Sequence, residues 1–204
     1  MSADYPGASD LVTAAVWPDM LKCASHSKIC PREVMDNIHI FDPWHYNEKP
    51  YNPQGLVLPD CSDKWQGNPS ALYTMTSGFI SMSSTNSRFT HNFFLRWMLH
   101  VVGDIHQPLH TANGYFDNAQ LGHLPAGDVG GNKIPLQTPC GAPNLHLYWD
   151  SAACSYLVNW SPHMEARSEL TANATALAAK YPKNSAVFAG RYVEDDLQDC
   201  WTAV

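Results

Sequence analysis

The amino-acid sequence predicts a mainly α-helical protein. Apolar residues recur at helical spacing in several stretches of ten or more residues, and the clearest stretch is residues 89–102. Regular alternation of apolar and polar residues, which would indicate half-buried strands, is rare. Two His-x3-Asp pairs also have the spacing that places both side chains on one face of a helix. These three observations favour a helical architecture.

The first seventy or so residues contain one predicted helix and several irregular stretches. Residues 8–22 carry an apolar face, and we expect a kink or a restart near Pro18 because proline disrupts a helix interior. Residues 23–36 are polar and bounded by cysteines, which predicts a loop. Residues 37–51 are rich in aromatic side chains and broken by two prolines, so they are predicted to be extended or irregular rather than helical. Residues 54–70 are predicted to be a loop.

Five further helices are predicted in the rest of the chain. They lie at residues 71–83, 89–102, 146–159, 165–180 and 193–201. Residues 111–145 are rich in glycine and have no sustained period, which predicts a long irregular loop; a loop of this length is usually functional or poorly ordered. The length of the chain suits a single domain over residues 1–204 with a substantial core.

Charge and cysteine content restrict the class of protein. The formal net charge is −7, so the chain has no general polybasic surface for nucleic-acid phosphates, although bound metal ions can replace basic side chains. No apolar run is long enough to span a membrane. Six cysteines without a Cys-x2-Cys pair indicate disulfides. A sequon at Asn173 and a weaker one at Asn159 also indicate the secretory pathway. We therefore expect a secreted, lumenal or cell-surface protein, although residues 1–6 do not resemble a signal peptide.

The densest functional motif is His100-Val-Val-Gly-Asp104-Ile-His106-Gln-Pro-Leu-His110. A second His-x3-Asp pair follows in His146-Leu-Tyr-Trp-Asp150. Either pair alone would be a weak signal, because a buried histidine is more often a hydrogen-bonded core residue. Two pairs so close together, with His110 between them, predict metal ligands. Imidazole and carboxylate donors without cysteine at ligand spacing favour zinc with an open coordination position.

With these motifs, the chain resembles the zinc-dependent class I nucleases. These enzymes prefer single-stranded substrates and include the secreted nucleases and 3′-nucleotidases of fungi, plants and protozoa. The similarity runs from about residue 8 to about residue 200. It comprises, in order, Trp-x-Asp, Trp-His-Tyr, Phe-Leu-x4-His-x3-Asp-x-His-Gln-Pro-Leu-His, Gly-Gly-Asn and Asn-Leu-His-x3-Asp. The resemblance implies the all-α fold shared with bacterial zinc phospholipases C, which is built around three zinc ions.

The resemblance also implies the zinc ligands. The first zinc would be bound by Asp19, His45, His100 and Asp104, and the second by His110, His146 and Asp150. Asp104 would in addition bridge toward a third zinc, which the family binds with an N-terminal Trp and a nearby His. Here Met1 stands first and no histidine precedes His26. We therefore expect two largely complete zinc sites in a domain trimmed at both ends, with low activity in the absence of the N-terminal ligands.

The implied reaction is attack of a metal-activated hydroxide on phosphodiester bonds of single-stranded RNA and DNA, together with release of phosphate from 3′-nucleotides. Asp19 and Asp104 would be catalytic, and Lys22 would contact a phosphate where the family more often has Arg. Tyr46 would stack on a base. Further substrate contacts are assigned to Asn47, Glu48 and Asn132. No stable protein partner is inferred.

Two alternative functions stay open. One is a non-catalytic or degenerate zinc-binding fragment of the family, which the missing N-terminal Trp favours. The other is a zinc phospholipase C, and Asp150 argues against it because the bacterial phospholipases carry Glu at this position.

The six cysteines are expected to form disulfides, and several histidines outside the ligand set are expected to be structural or exposed. Six cysteines allow 15 pairings. A late helix of the family bears a Cys paired with one after the segment of His45, which implies Cys61–Cys200, and we predict Cys23–Cys30 and Cys140–Cys154 as local bridges. His106 is expected beside the ligands or at the surface. Structural or exposed positions are expected for His39, His91, His123 and His163.

Overall fold

The computed structural model describes residues 11–21, 39–47, 49–58, 70–156 and 167–182. The chain divides into two compact units, Met1–Pro162 and His163–Val204. Helices predominate among the described residues, which confirms the mainly α fold class. The loop predicted at residues 23–36 and the helix predicted at 193–201 lie outside the described residues, and the assignment of residues 1–204 to one domain stays a prediction.

The first unit contains four α-helices among its described residues, together with two 3-10 helices and four short strands. In chain order these are α1 (Leu11–Leu21), the first 3-10 helix (His39–His45), β1 (Lys49–Tyr51), α2 (Ala71–Ser84), α3 (Arg88–Asp104), the second 3-10 helix (Pro108–His110), β2 (Ala112–Gly114), β3 (Phe116–Asn118), β4 (Gly122–Leu124) and α4 (Leu145–Asp150). The second unit contains α5 (Arg167–Lys180). Within the described ranges, no helix combines the length and the apolar character needed to cross a bilayer.

Helix α1 runs through Pro18 as one continuous helix, so of the kink or restart expected there, the restart does not occur. Proline in a helix interior removes one backbone hydrogen bond and costs about 3 kcal/mol. Pro18 is among the fully buried side chains, so packing offsets part of this cost. The continuous helix brings Asp19, the next residue, to the buried side of the unit.

Helices α2 and α3 form as their sequences predict, and each begins at a serine cap. The Ser70 hydroxyl accepts a hydrogen bond from the backbone N–H of Tyr73 (3.2 Å), and the Ser87 hydroxyl accepts one from Thr90 (3.3 Å). Such caps satisfy N–H groups that have no partner within the helix and contribute about 1 kcal/mol each.

The core of the first unit lies on α3. Trp97 and Val101 are fully buried there, together with Ala71 of α2. Aromatic and aliphatic side chains from α1, the first 3-10 helix and the flanking helices surround them: Trp17, Leu21, Phe41, Trp44, Met75, Phe93 and Ile105. The ring of Trp97 is 4.9 Å from that of Trp44 between centroids, within the range of favourable aromatic pairs. The first His-x3-Asp pair, His100 and Asp104, lies on the same helix directly beside these core residues.

The prediction of extended or irregular structure for residues 37–51 is wrong in part. Residues His39–His45 form a 3-10 helix that contains Pro43, and β1 follows at Lys49–Tyr51. Phe41 and Trp44 of this helix pack on Trp97, so tertiary contacts select a helical conformation that the two prolines conceal in the sequence.

The prediction of one irregular loop over residues 111–145 is also wrong in part. Strand β2 pairs in parallel with β1, with Lys49 opposite Ala112, and β3 pairs antiparallel with β4, with Phe116 opposite Leu124. Each strand has three residues, which is too short to produce a recognisable alternation.

The helix predicted at residues 146–159 is shorter in the structure, where α4 ends at Asp150. Ala152, Ala153 and Cys154 have positive φ angles of 47°, 55° and 70°, which no right-handed helix can contain. The predicted Cys140–Cys154 disulfide is present and joins this turn to the preceding loop. The other two predicted disulfides, Cys23–Cys30 and Cys61–Cys200, lie outside the described residues.

Candidate metal centre

The first group of potential metal ligands comes from three separate elements. Asp19 lies near the end of α1, His45 ends the first 3-10 helix, and His100 lies on α3. Their side chains are largely buried, with 8%, 1% and 10% exposure respectively. Burial excludes water from these three polar side chains. Placing them side by side without water is costly unless they share a proton or a cation.

Short distances connect the donor atoms of this group. His45 Nδ1 lies 2.9 Å from His100 Nε2 and 3.6 Å from Asp19 Oδ1, and His100 Nε2 lies 3.3 Å from Asp19 Oδ2. A zinc ion with four ligands at 2.0–2.1 Å separates neighbouring ligand atoms by about 3.3 Å. The separations in the first group therefore suit a tetrahedral zinc without rearrangement of the backbone.

Asp104 extends this first group. It lies one helical turn after His100, and its Oδ2 atom is 3.1 Å from His100 Nε2 and 3.2 Å from His45 Nδ1. Its other oxygen, Oδ1, is 4.0 Å from His110 Nδ1. The carboxylate thus faces the first group with one oxygen and the start of a second group with the other.

The second group consists of His110, His146 and Asp150. His110 ends the second 3-10 helix, and the other two residues lie one turn apart on α4. Asp150 Oδ2 is 3.4 Å from His146 Nε2, and Asp150 Oδ1 is 3.6 Å from His110 Nε2. The group is more open than the first, since the side chain of Asp150 is 29% exposed. The second group is therefore the more accessible of the two to solvent.

Backbone carbonyls fix the rings of three histidines. The Nδ1 atom of His100 donates to Ala15 O (2.6 Å), that of His110 to His45 O (2.9 Å), and that of His146 to Gly130 O (2.7 Å). Because a carbonyl only accepts, each Nδ1 carries a proton, and in the neutral ring Nε2 then presents a lone pair. Histidines that bind zinc through one ring nitrogen almost always donate the N–H of the other to an acceptor such as a backbone carbonyl.

Opposite charges shift the pKa values of these groups. Burial lowers the pKa of His100, but the hydrogen bond to Asp104 and the charge of Asp19 outweigh it, and the pKa rises above 6.5. Burial likewise lowers the pKa of His110. Asp150 and Asp104 raise this pKa by more than burial lowers it, so the net shift is upward. In the metal-free protein, these histidines bind protons where a cation would lie, so metal binding releases protons.

The two carboxyl groups shift in the opposite direction. Burial raises the pKa of Asp104, but hydrogen bonds with His100 and His45 hold it well below the usual range. Burial also raises the pKa of Asp150, whereas His110 and a hydrogen bond from Gln107 lower it to a greater extent. Both carboxylates are therefore ionised at neutral pH and available to a cation.

The structure describes three of the five residues predicted to contact substrate. Tyr46 is 37% exposed and follows His45 directly. Asn47 is 7% exposed, and its side-chain oxygen accepts a 3.4 Å hydrogen bond from Leu72 at the start of α2. Asn132 is exposed and donates from its side chain to Val129 O. Lys22 and Glu48 lie outside the described residues. Substrate contact by each of these five residues stays a prediction.

The histidines expected to be structural or exposed fit that description where the structure describes their side chains. His106 is exposed and donates from Nδ1 to Val102 O, and His123 forms an exposed pair with Asp117 (3.0 Å). His91 bonds to Met82 O. The side chain of His39 and all of His163 lie outside the described part.

The backbone groups that hold the histidines cannot be identified from the sequence. The carbonyls of Ala15 and Gly130 contact His100 and His146, yet a carbonyl leaves no mark in the sequence because every residue carries one. The amide of Gln107, 2.9 Å from Asp150 Oδ1, was also unassigned, although Gln107 lies within the motif between Asp104 and His110.

The fold and these two groups define a helical protein with paired His/Asp sites suited to metal ions. The family model described as S1/P1 Nuclease matches residues 2–200, so the chain belongs to the S1/P1 nuclease family. The mainly α fold is consistent with that family.

Curated relatives agree with this membership. Endonuclease 5 of Arabidopsis thaliana is 28% identical over 80% of this chain and 51% of the relative. Endonuclease 2 of the same plant is 28% identical over 70% of this chain and 43% of the relative, and Endonuclease 3 is 33% identical over 69% and 41%. The chain thus spans about half the length of the curated relatives it matches.

Proposed function

We propose that the protein binds one zinc ion at each of the two His/Asp groups. The observation that carries this proposal is the convergence of ring nitrogens and carboxylate oxygens around Asp104, at the separations of about 3.3 Å that a tetrahedral zinc requires. The donor set of nitrogen and oxygen, with protons fixed on the opposite ring nitrogens by backbone carbonyls, suits zinc. Membership in the S1/P1 nuclease family supports the same assignment.

We infer further that the protein hydrolyses phosphodiester bonds in single-stranded RNA and DNA and removes phosphate from 3′-nucleotides. The family and the endonuclease names of its relatives support a nucleic-acid substrate. Zinc, when bound, supplies Lewis acidity toward a phosphoryl oxygen and lowers the pKa of water toward neutrality. The formal net charge of −7 of the whole chain does not exclude such a substrate, because two divalent ions would place four positive charges at the site itself.

The residues of the chain would have two kinds of role, which are metal binding and orientation of the substrate. Asp104 would link the two groups through its two oxygens, and Asp19 would complete the buried first group. The exposed ring of Tyr46, next to His45, would offer a face on which a splayed base can stack. The partly open second group would admit the phosphate, and Asn132, which contacts the capping residue Asn144 of α4, would bind it.

We also propose that the protein acts in a secretory compartment or outside the cell. The Cys140–Cys154 disulfide supports this location, because disulfides persist in oxidising compartments. The sequon at Asn173 lies on α5. A glycosylated product from a eukaryotic expression host would support this assignment, and a reduced Cys140 in the purified native protein would contradict it.

The proposal is tested by comparing zinc-loaded with chelator-treated protein. Single-stranded RNA, single-stranded DNA, duplex DNA and adenosine 3′-phosphate would be offered, with phosphatidylcholine as the phospholipase substrate. We expect slow cleavage of the single strands and slow phosphate release from the nucleotide, both lost on chelation and restored by zinc. His110→Ala should abolish both activities. His123→Ala, which removes the ring of an exposed His–Asp pair outside the two groups, should leave both unchanged.

Two results would count against the proposal. Zinc binding without hydrolysis of any nucleic acid or nucleotide would identify a non-catalytic member of the family. Hydrolysis of phosphatidylcholine in preference to single-stranded RNA would identify a phospholipase.

A further inference from the structure

We propose that Gln107 is a positioning residue for the second group, and that its side-chain amide sets the relative position of His110 and Asp150 before a metal ion binds. The inference rests on the proposed function, since it concerns the geometry of the same metal site. It assigns a role to a residue that is neither a ligand nor a substrate contact.

Three contacts connect Gln107 to both halves of the second group. Its Nε2 donates to Asp150 Oδ1 at 2.9 Å, across 43 positions of sequence. Its Oε1 accepts from the backbone N–H of Leu109 at 2.5 Å and so caps the second 3-10 helix. Its backbone carbonyl accepts from the N–H of His110 at 3.0 Å. One residue thus holds the helix that presents His110 and the carboxylate that faces it.

The contact with Asp150 constrains the orientation of its carboxylate. Rotation of an aspartate carboxyl group about its last bond meets only a broad, roughly two-fold preference, so hydrogen bonds decide its orientation. Gln107 occupies Oδ1, whereas His110 Nε2 is 3.6 Å from that oxygen, too far for a good hydrogen bond. The other oxygen, Oδ2, then faces His146 Nε2 at 3.4 Å. Gln107 therefore holds the Asp150 carboxylate in an orientation in which Oδ1 lies toward His110 and Oδ2 toward His146.

Two substitutions separate this role from simple helix capping. Gln107→Met has a similar length but neither donates nor accepts strongly, so it removes both contacts. Gln107→Glu keeps the acceptor for Leu109 but removes the donor to Asp150. Gln54 provides a matched control, because its amide also bridges two segments, through Asp117 N (2.8 Å) and Asp117 O (3.0 Å), without contact to either His/Asp group.

The test is zinc titration of the full chain against a competing chelator, combined with chemical denaturation of the metal-free protein. We expect two binding steps in the unaltered chain. Both Gln107 variants should weaken one step by roughly 10–100-fold, the usual effect of losing a partner that orients a ligand, and leave the other step unchanged. Gln54→Met should leave both steps unchanged. Gln107→Glu should retain more of the metal-free stability than Gln107→Met, because its cap persists.

The outcomes distinguish this inference from the proposed function. Unchanged or tighter zinc binding in Gln107→Glu would overturn the positioning role and leave capping as the only function of Gln107. Failure of the unaltered chain to bind zinc would overturn the proposed function, and this inference with it. Two normal binding steps in both Gln107 variants would overturn this inference alone.

Discussion

His100 and Asp104 meet across one turn of α3, where His100 Nε2 lies 3.1 Å from Asp104 Oδ2. The same carboxylate reaches His45 with Oδ2 and approaches His110 with Oδ1. Asp150, by contrast, lies against two histidines of the second group, His110 and His146. Asp104 is therefore the residue on which the two groups depend together.

Asp104→Asn is expected to be the most damaging single change among the candidate ligands. The substitution preserves the shape but removes the negative charge shared by both groups. Zinc affinity should fall by more than the roughly 10–100-fold that loss of an orienting partner costs, and hydrolysis should fall with it. Zinc titration and an assay on single-stranded RNA check this. Asp117→Asn, in the exposed pair with His123, is the matched control and should change neither quantity. Equal damage from Asp150→Asn would contradict the special position of Asp104.

About two zinc ions should bind per chain. The two groups each bring three potential ligand atoms within 4.8 Å of one another, and Asp104 lies between them. Metal analysis after gel filtration of zinc-loaded protein measures the number directly. Because zinc binds the folded state, chelation should lower the midpoint of thermal unfolding. A single zinc per chain, or a midpoint unaffected by chelation, would show that one of the groups is not a metal site.

The stability of the metal-free and zinc-loaded proteins should respond oppositely to pH. The pKa values of His100 and His110 are raised in the folded state, so their contribution is complete below the unfolded value of 6.5 and is lost as pH rises through the folded values. The pKa values of Asp104 and Asp150 are lowered from 3.8, so their contribution is complete above that value and lost as pH falls through the folded values. Metal-free protein should thus be most stable between these two unfolded values.

Zinc reverses the trend above pH 6.5, because it requires unprotonated histidines and binds more tightly as protons leave. Denaturant unfolding of both forms from pH 5 to pH 8.5 measures the difference, with roughly equal ionic strength throughout. We expect the free energy of unfolding to fall with pH in the metal-free form and to rise in the zinc-loaded form. Parallel curves for the two forms would show that these histidines do not bind the metal.

Trp97→Ala should lower the free energy of unfolding of the protein, and it should also remove the packing that holds His45 in the first group. Trp97 is fully buried, and its ring centroid is 5.1 Å from that of His45. Removing a buried tryptophan costs about 3–5 kcal/mol. Phe89→Ala, at a side chain that is 77% exposed on the same helix, should cost less than about 1 kcal/mol. Denaturant unfolding gives both values, and a similar loss from the two substitutions would contradict the assignment of the core.

The extent to which sequence predicts this molecule differs from element to element. The pairs His100–Asp104 and His146–Asp150 follow from helical spacing, because the distance between residues four apart is a local property. The 3-10 helix that ends at His45 depends on packing against Trp97, which local sequence does not specify. The end of α4 depends on left-handed residues that include Ala152 and Ala153, and alanine gives no signal for positive φ.

Gly130→Ala should weaken the second group specifically. Gly130 has a φ of 57°, and a Cβ atom there would lie 2.3 Å from Leu109 O, a contact that forces the backbone to move. Its carbonyl accepts the hydrogen bond from His146 Nδ1, so the movement displaces the group that fixes this ring. Gly141→Ala is the matched control: its φ is 75°, but nothing lies within 4 Å of the added Cβ. Both variants carry the cost of a positive φ, about 1–2 kcal/mol, whereas only Gly130→Ala adds the collision.

The measurement is zinc titration of both variants, with denaturant unfolding to quantify the shared backbone cost. Gly130→Ala should lose affinity in one of the two zinc steps by roughly 10–100-fold, since His146 loses the partner that holds its proton on Nδ1. Gly141→Ala should retain both steps while losing stability. If Gly130→Ala loses stability but binds zinc as tightly as Gly141→Ala, then the Gly130 carbonyl does not orient His146 for metal binding, and the ring is held by its other contacts.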